Sequence, residues 1–126
     1  MSRKRKILVV DDQFLLALEI ADIIEDQGHE VLGPYSTVDQ ALSHVERDPP
    51  DTAILDINMG EGQTTEPIAR ALKERNVPFA FLTGYNSADM LSDIFSDIEK
   101  LAKPALSDEI SGLIDRLLFG IHPEME

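Results

Sequence analysis

Short apolar runs alternate along this chain with stretches whose apolar residues recur every three or four positions. That alternation predicts strands followed by helices. Lys6-Ile7-Leu8-Val9-Val10 is a continuous run ending in Asp11-Asp12, the pattern of a strand buried on both faces. Leu16, Ile20, Ile23 and Ile24 then fall at i, i+4, i+7 and i+8, with Glu19, Asp22, Glu25 and Asp26 opposite them. This spacing predicts an amphipathic helix, and Gly28 closes its end. Glu30 to Tyr35 reads as a second, weaker strand. Thr37 with Gln40 three residues later forms a capping-box pattern, and Val38, Ala41, Leu42 and Val45 give the second helix its apolar stripe.

Pro49-Pro50 stops that helix, and Thr52-Ala53-Ile54-Leu55-Asp56 is a third strand that again terminates in an acid. A loop through Gly60 and Gly62 leads to Pro67 in the first turn of a third helix, whose inner face is Ile68, Ala71 and Leu72. Val77 to Leu82 predicts a fourth strand, closed by Thr83-Gly84. Ser87 is placed to cap a short fourth helix with Met90, Leu91 and Ile94 inward, and Ile98 to Ala102 predicts a fifth strand ending at Lys103-Pro104. The last helix takes Ser107 as its N-cap and buries Ile110, Leu113, Ile114, Leu117 and Leu118.

Five βα units joined by right-handed crossovers predict an α/β fold. It is a doubly wound, five-stranded parallel sheet in the flavodoxin-like order 2-1-3-4-5, with helices on both faces. In such sheets the ligand crevice lies beyond the carboxyl ends of the strands, near the switch point between the first and third. Asp11 and Asp12 end the first strand, Asp56 the third, Thr83 the fourth and Lys103 the fifth, so the fold would gather all five in that crevice.

Composition narrows the chemistry. The 126 residues are read as one domain, 1–126, with the basic residues 1–5 as a flexible start. With no cysteine, disulfide scaffolds, zinc-thiolate sites and thiol catalysis are excluded, and a reducing compartment is permitted. The apolar run Ile7–Val10 is too short for a signal peptide, and no stretch reads as a membrane span. The formal charge is −13, and outside the Arg3–Lys6 block only seven basic residues face 24 acidic ones. Such a body repels phosphate backbones, so no nucleic acid is expected as a partner.

Each strand-end residue has an ordinary structural reading. Asp12 before a helix is a normal N-cap, Asp56 and Thr83 suit turns, and Lys103 suits a solvated surface. Together they suggest more. Three carboxylates within a few ångströms repel one another unless a cation sits among them or one takes up a proton. Mg²⁺ suits such a site, because it seeks hard oxygen ligands and keeps several of its waters.

This constellation resembles the receiver domain of bacterial two-component response regulators, over essentially the whole chain. The residues that carry the likeness are Asp11-Asp12, Leu55-Asp56-Ile57-Asn58-Met59, Thr83-Gly84 and Lys103-Pro104. The resemblance implies that Asp56 is the phosphoacceptor and that Asp11, Asp12, Asp56 and the backbone carbonyl of Asn58 hold Mg²⁺. It also implies that Thr83 is the switch hydroxyl, that Lys103 binds the phosphate, and that the Lys103-Pro104 peptide is cis. The implied donor is a phosphohistidine on a sensor kinase or phosphotransfer protein, and the implied output is a changed affinity for a downstream protein partner. On this reading the chain is a stand-alone cytoplasmic regulator, monomeric or weakly dimeric. It is no ordinary enzyme but a phosphoacceptor that assists its own phosphorylation and dephosphorylation.

Two positions depart from the family pattern. Lys100 stands three residues before Lys103, where many receivers carry an inward-turning aromatic, and Gly60 replaces a common proline, which predicts a more permissive loop. Pro78-Phe79-Ala80-Phe81-Leu82-Thr83-Gly84-Tyr85 is similar to the Pro-Phe-x-Phe-Ala-Thr-Gly-Tyr signature of a mostly single-domain alphaproteobacterial subgroup. Tyr85 there is either a switching or partner residue or a structural one.

Competing functions are weaker. A haloacid-dehalogenase-type phosphatase needs a second acid two residues after its nucleophile, and Gln13 stands two after Asp11. A flavin carrier needs phosphate-binding donors where this chain has Asp11-Asp12. The alternative that remains is an adapter of the same fold that binds partners irrespective of phosphorylation, kept open by Lys100. His29, His44 and His122 are read as surface residues.

Overall fold

The computed structural model describes residues 4–84 and 87–120. Strands β1 (Lys6–Val10), β2 (Glu30–Tyr35), β3 (Thr52–Asp56), β4 (Phe79–Thr83) and β5 (Lys100–Ala102) alternate with helices α1 (Phe14–Asp26), α2 (Val38–Arg47), α3 (Glu66–Glu74) and α4 (Ser107–Phe119). Every strand pairing is parallel, and the sheet order is β2-β1-β3-β4-β5, as the alternation predicts.

The two-residue period of the strands builds two cores. Leu8, Val10, Ala53, Leu55, Phe79 and Phe81 face α2 and α3, whose Ala41, Val45, Ile68 and Leu72 complete that layer. Ile7, Val9, Ile54 and Leu82 face the other way, against Ile20 and Ile24 of α1 and Ile110 and Ile114 of α4. Both faces of the central strands are therefore dry, which is why those strands read as unbroken apolar runs. Near the end of β2 the register with β1 shifts between Leu8 and Val10. Gly33 makes this possible: its φ is +98°, and a Cβ there would stand 2.6 Å from the Tyr35 nitrogen.

The expected fourth helix is not one. Two 3₁₀ turns, Ser87–Met90 and Asp93–Phe95, take its place. Met90 and Ile94 are 38% and 48% exposed rather than inward, while Phe95 is fully buried against Phe79 and Phe81 in edge-to-face contacts. Ser92, Asp93, Ser96 and Asp97 are poor helix formers. The Glu66 carboxylate also accepts from the Ser92 N–H (2.9 Å) and hydroxyl (2.7 Å), holding Ser92 extended between the turns.

Smaller corrections have local causes. Leu106, not Ser107, is the N-cap of α4, because the Glu109 carboxylate accepts from the Leu106 N–H at 2.8 Å. β4 and β5 begin two residues later than the apolar pattern implies. His29 is buried, with its Nδ1 accepting from the Arg5 N–H, and half-buried His44 meets the Tyr35 hydroxyl at 2.6 Å, so neither is a surface residue. His122 lies outside the described residues. Among those described, no helix is long and apolar enough to cross a membrane.

Candidate functional site

β1 and β3 are neighbours in register, with Val10 beside Leu55, so the residues after them, Asp11 and Asp56, emerge side by side at the carboxyl edge of the sheet. Both are nearly inaccessible, at 2% and 4% exposure, while Asp12 is exposed. One carboxylate oxygen from each of the three lies within 4.8 Å of the others. The Lys103 ammonium, arriving from the end of β5, stands 3.2 Å from Asp11 Oδ2 and 3.3 Å from Asp56 Oδ1. Above them opens a cavity of about 270 Å³, lined by Asp12, Gln13, Asp56, Asn58, Ser87 and Lys103 among others.

This crowding has an electrostatic consequence. Burial, and then the Asp11 charge, push the Asp56 carboxyl from 3.8 up to about 7; Asp12 adds slightly, and Lys103 opposes. Asp11 Oδ2 is buried without a hydrogen-bond partner. A set of three oxygen donors with more negative charge than one lysine offsets, one of them an orphaned lone pair, fits a hard divalent cation such as Mg²⁺.

Local structure fixes each group. Asp11 Oδ1 accepts from the Gln13 N–H at 2.8 Å, and Asp56 Oδ1 accepts from the Ile57 N–H at 2.9 Å. The buried Thr65 hydroxyl donates to the Asp56 carbonyl and so clamps the end of β3 from the start of α3. Gly60 has a φ of +86°, the left-handed conformation that glycine adopts without strain. It turns a small hairpin closed by Met59 N–H to Gln63 O (2.9 Å) and Thr65 N–H to Ile57 O (3.1 Å). The Asn58 carbonyl takes no part in that ladder, and the Asn58 side chain is occupied by the Gly60 N–H at 2.9 Å.

The remaining expected residues divide. The Thr83 hydroxyl donates to the carbonyl of Gly84 at 3.0 Å; Gly84 lines the cavity and Thr83 is not among its lining residues. Lys100 is half-buried and donates to the carbonyls of Phe95 and Ile98, both at 2.9 Å, with its ammonium 6.0 Å above the Phe81 ring. The Lys103–Pro104 peptide is cis, and so is Gly33–Pro34. Tyr85 lies outside the described residues. Gln13, Thr65 and Ser87 are given no role at the site by the sequence, which offers Ser87 only as a helix cap. Only Gln13, adjacent to the acid pair, carried a positional hint.

Residues 7–113 match the response regulator receiver domain family. The solution structure of SdrG from Sphingomonas melonis Fr1 is 36% identical, superposes with a TM-score of 0.80, and is covered over 99% of its length by 94% of this chain. The phyllosphere-induced regulator PhyR of Methylorubrum extorquens is 27% identical over 116 residues, 90% of this chain and 43% of PhyR. A protein-glutamate methylesterase/protein-glutamine glutaminase of Halobacterium salinarum is 29% identical over 120 residues, 90% of this chain and 35% of that protein. The chain thus spans less than half the length of these two curated relatives. A sheet of order 2-1-3-4-5, an acid cluster at its carboxyl edge and a family match over most of the sequence lead to one conclusion: this chain belongs to the response regulator receiver domain family.

Proposed function

We propose that this receiver is the phosphoacceptor of a histidine-to-aspartate relay and that phosphorylation of Asp56 changes its affinity for a downstream protein. The observation that carries the reading is the meeting of three carboxylates with the Lys103 ammonium at the ends of β1, β3 and β5. An Asp56 carboxylate oxygen attacks the phosphorus in line. The P–N bond breaks, its electron pair goes to the donor imidazole nitrogen, and the imidazole leaves neutral with the proton on its other ring nitrogen. Asp11, Asp12, Asp56 and the Asn58 carbonyl would hold a magnesium ion, which when bound screens the phosphoryl oxygens from the attacking carboxylate. Lys103 adds a positive charge on the same oxygens. The Thr83 hydroxyl then leaves the Gly84 carbonyl for a phosphoryl oxygen and draws the loop after β4 inward.

A protein-borne donor, a sensor kinase or a phosphotransfer protein, is supported by exposed apolar residues that follow the strand-end acids and Lys103 closely in the chain. Phe14 (72% exposed), Leu15 and Leu18 are exposed on α1, which begins two residues after Asp12, and Leu106 is exposed two residues after Pro104. Residues 1–126 are taken to act as one receiver unit. The experiment is to incubate the protein with Mg²⁺ and phosphoramidate or acetyl phosphate and to locate the acyl phosphate by mass spectrometry. Label is expected on Asp56 and absent from Asp56→Asn; undiminished label in that variant overturns the reading.

One observation favours a phosphorylation-independent adapter. Lys100 replaces the inward-turning aromatic and is tied to two backbone carbonyls. A partner that binds equally to the unmodified protein, the beryllofluoride-bound protein and Thr83→Ala would establish the adapter reading instead.

A further inference from the structure

The shortest contact of the Lys103 ammonium is to a neutral group. Its nitrogen lies 2.7 Å from Gln13 Oε1, against 3.2 Å to Asp11 Oδ2 and 3.3 Å to Asp56 Oδ1. The two carboxylate contacts are ion pairs without hydrogen-bond geometry, so among the described residues Gln13 Oε1 is the acceptor that gives the ammonium a direction. Gln13 also occupies the N-cap of α1, where Ser, Thr, Asp or Asn is preferred because a short side chain turns back onto the helix's own N–H groups. The Gln13 side chain makes no such bond. It is directed instead to a lysine 90 residues away, while its backbone N–H is held by Asp11 Oδ1 at 2.8 Å. The residue is therefore anchored on one acid by its backbone and grips the lysine with its side chain.

We propose that Gln13 is a positioning residue that sets the Lys103 ammonium over the acid cluster and keeps it there as phosphoryl oxygens replace its carboxylate partners; the inference rests on the phosphoacceptor reading above. A neutral acceptor is the chemistry this place requires. A carboxylate would hold the ammonium more tightly and add a fourth negative charge beside the incoming phosphoryl group. An apolar side chain would leave the ammonium one acceptor short and free to swing toward solvent. The amide fixes the lysine through a single bond and repels nothing that enters.

The test is a double-mutant cycle on the intact protein. Gln13→Met keeps the length of the side chain and removes the carbonyl, and Gln13→Ala controls for the sulfur; the position is exposed, so neither burdens the core. The labelling rate with Mg²⁺ and phosphoramidate should fall roughly tenfold in Gln13→Met, the loss of one charge-assisted hydrogen bond. In a Lys103→Met background the same change should add less than about twofold, with beryllofluoride affinity as a second measure. Gln13→Glu should keep the lysine in place yet label more slowly than wild type. The NMR signal of the Lys103 ammonium reports the contact independently of any phosphorylation: it should exchange faster in Gln13→Met and not in Gln13→Glu. Effects of equal size with and without the lysine ammonium, or an unchanged rate in Gln13→Met, would overturn the inference alone. Absence of label on the wild-type protein would overturn the phosphoacceptor reading beneath it, while the ammonium signal would still show whether Gln13 holds Lys103.

Discussion

At Asp56 burial holds the carboxyl up to about 7, with Asp11 adding to the effect and Lys103 opposing it. The unfolded carboxyl titrates near 3.8. Between those two values the folded chain keeps a proton that the unfolded chain has lost, so stability falls as pH rises through the window, and the cost is complete above about 7. Asp56→Asn removes that cost. In the presence of a chelator the variant should therefore melt above the wild type by roughly 3–10 °C at alkaline pH, and the gain should shrink toward acid. Thermal unfolding on both sides of the window checks this. A gain that is the same at both ends would mean that Asp56 does not titrate there.

Between elements, the segment that replaces a fourth helix is held by one carboxylate. Glu66 on α3 accepts from the Ser92 N–H and hydroxyl and pairs with Arg70 at 2.6 Å. The Ser92 N–H leads in holding its carboxyl below the usual range, burial works against this, and the Ser92 hydroxyl and Arg70 add to the lowering. A depressed folded pKa contributes stability above the unfolded value of 4.5 that is lost as pH falls through the lower folded value. Glu66→Ala should consequently cost about 1–2 kcal/mol at neutral pH and progressively less in acid. Hydrogen exchange should rise between residues 87 and 98, and unchanged protection there would show that Phe95 alone anchors the segment. The same stretch is where the phosphorylation signal should travel. Beryllofluoride at Asp56 should shift the backbone signals of Thr83, Gly84 and residues 87–93 more than that of Lys100, which the Phe95 and Ile98 carbonyls restrain. Thr83→Ala should accept label yet lose the link to partner affinity. A larger shift at Lys100 would place the coupling there.

On the scale of the whole molecule, the acids of β1 and β3 meet because two parallel strands end together over a sheet that is dry on both sides. Their mutual repulsion is a charge on the native state alone, since the unfolded chain separates them. A cation that binds the cluster therefore stabilises the fold by linkage. At ten times its dissociation constant the gain is about 1.4 kcal/mol, a few degrees in Tm for a domain of this size. Millimolar Mg²⁺ should raise Tm, and Asp12→Asn should blunt the rise. Indifference to both would mean the cluster is not a metal site.

The alternating runs made the sheet order and the two cores legible, because right-handed βαβ crossovers leave few strand orders and central parallel strands covered by helices on both faces must be apolar throughout. They also pointed to the meeting of Asp11, Asp12, Asp56 and Lys103 at one edge, since parallel βα units bring every strand's carboxyl end to the same side, whereas the Thr83 hydroxyl is bonded to the Gly84 carbonyl. What the sequence could not display were contacts made by loops and by side chains far apart along the chain. Gln13 meets Lys103 across 90 residues and Glu66 meets Ser92 across 26, with no periodic pattern to announce either. The stripe Met90, Leu91, Ile94 had the period of a helix. Only the tertiary structure decided otherwise, because burying Phe95 between Phe79 and Phe81 and pairing Ser92 with Glu66 outweighs the weak helix propensity of a stretch rich in Ser and Asp.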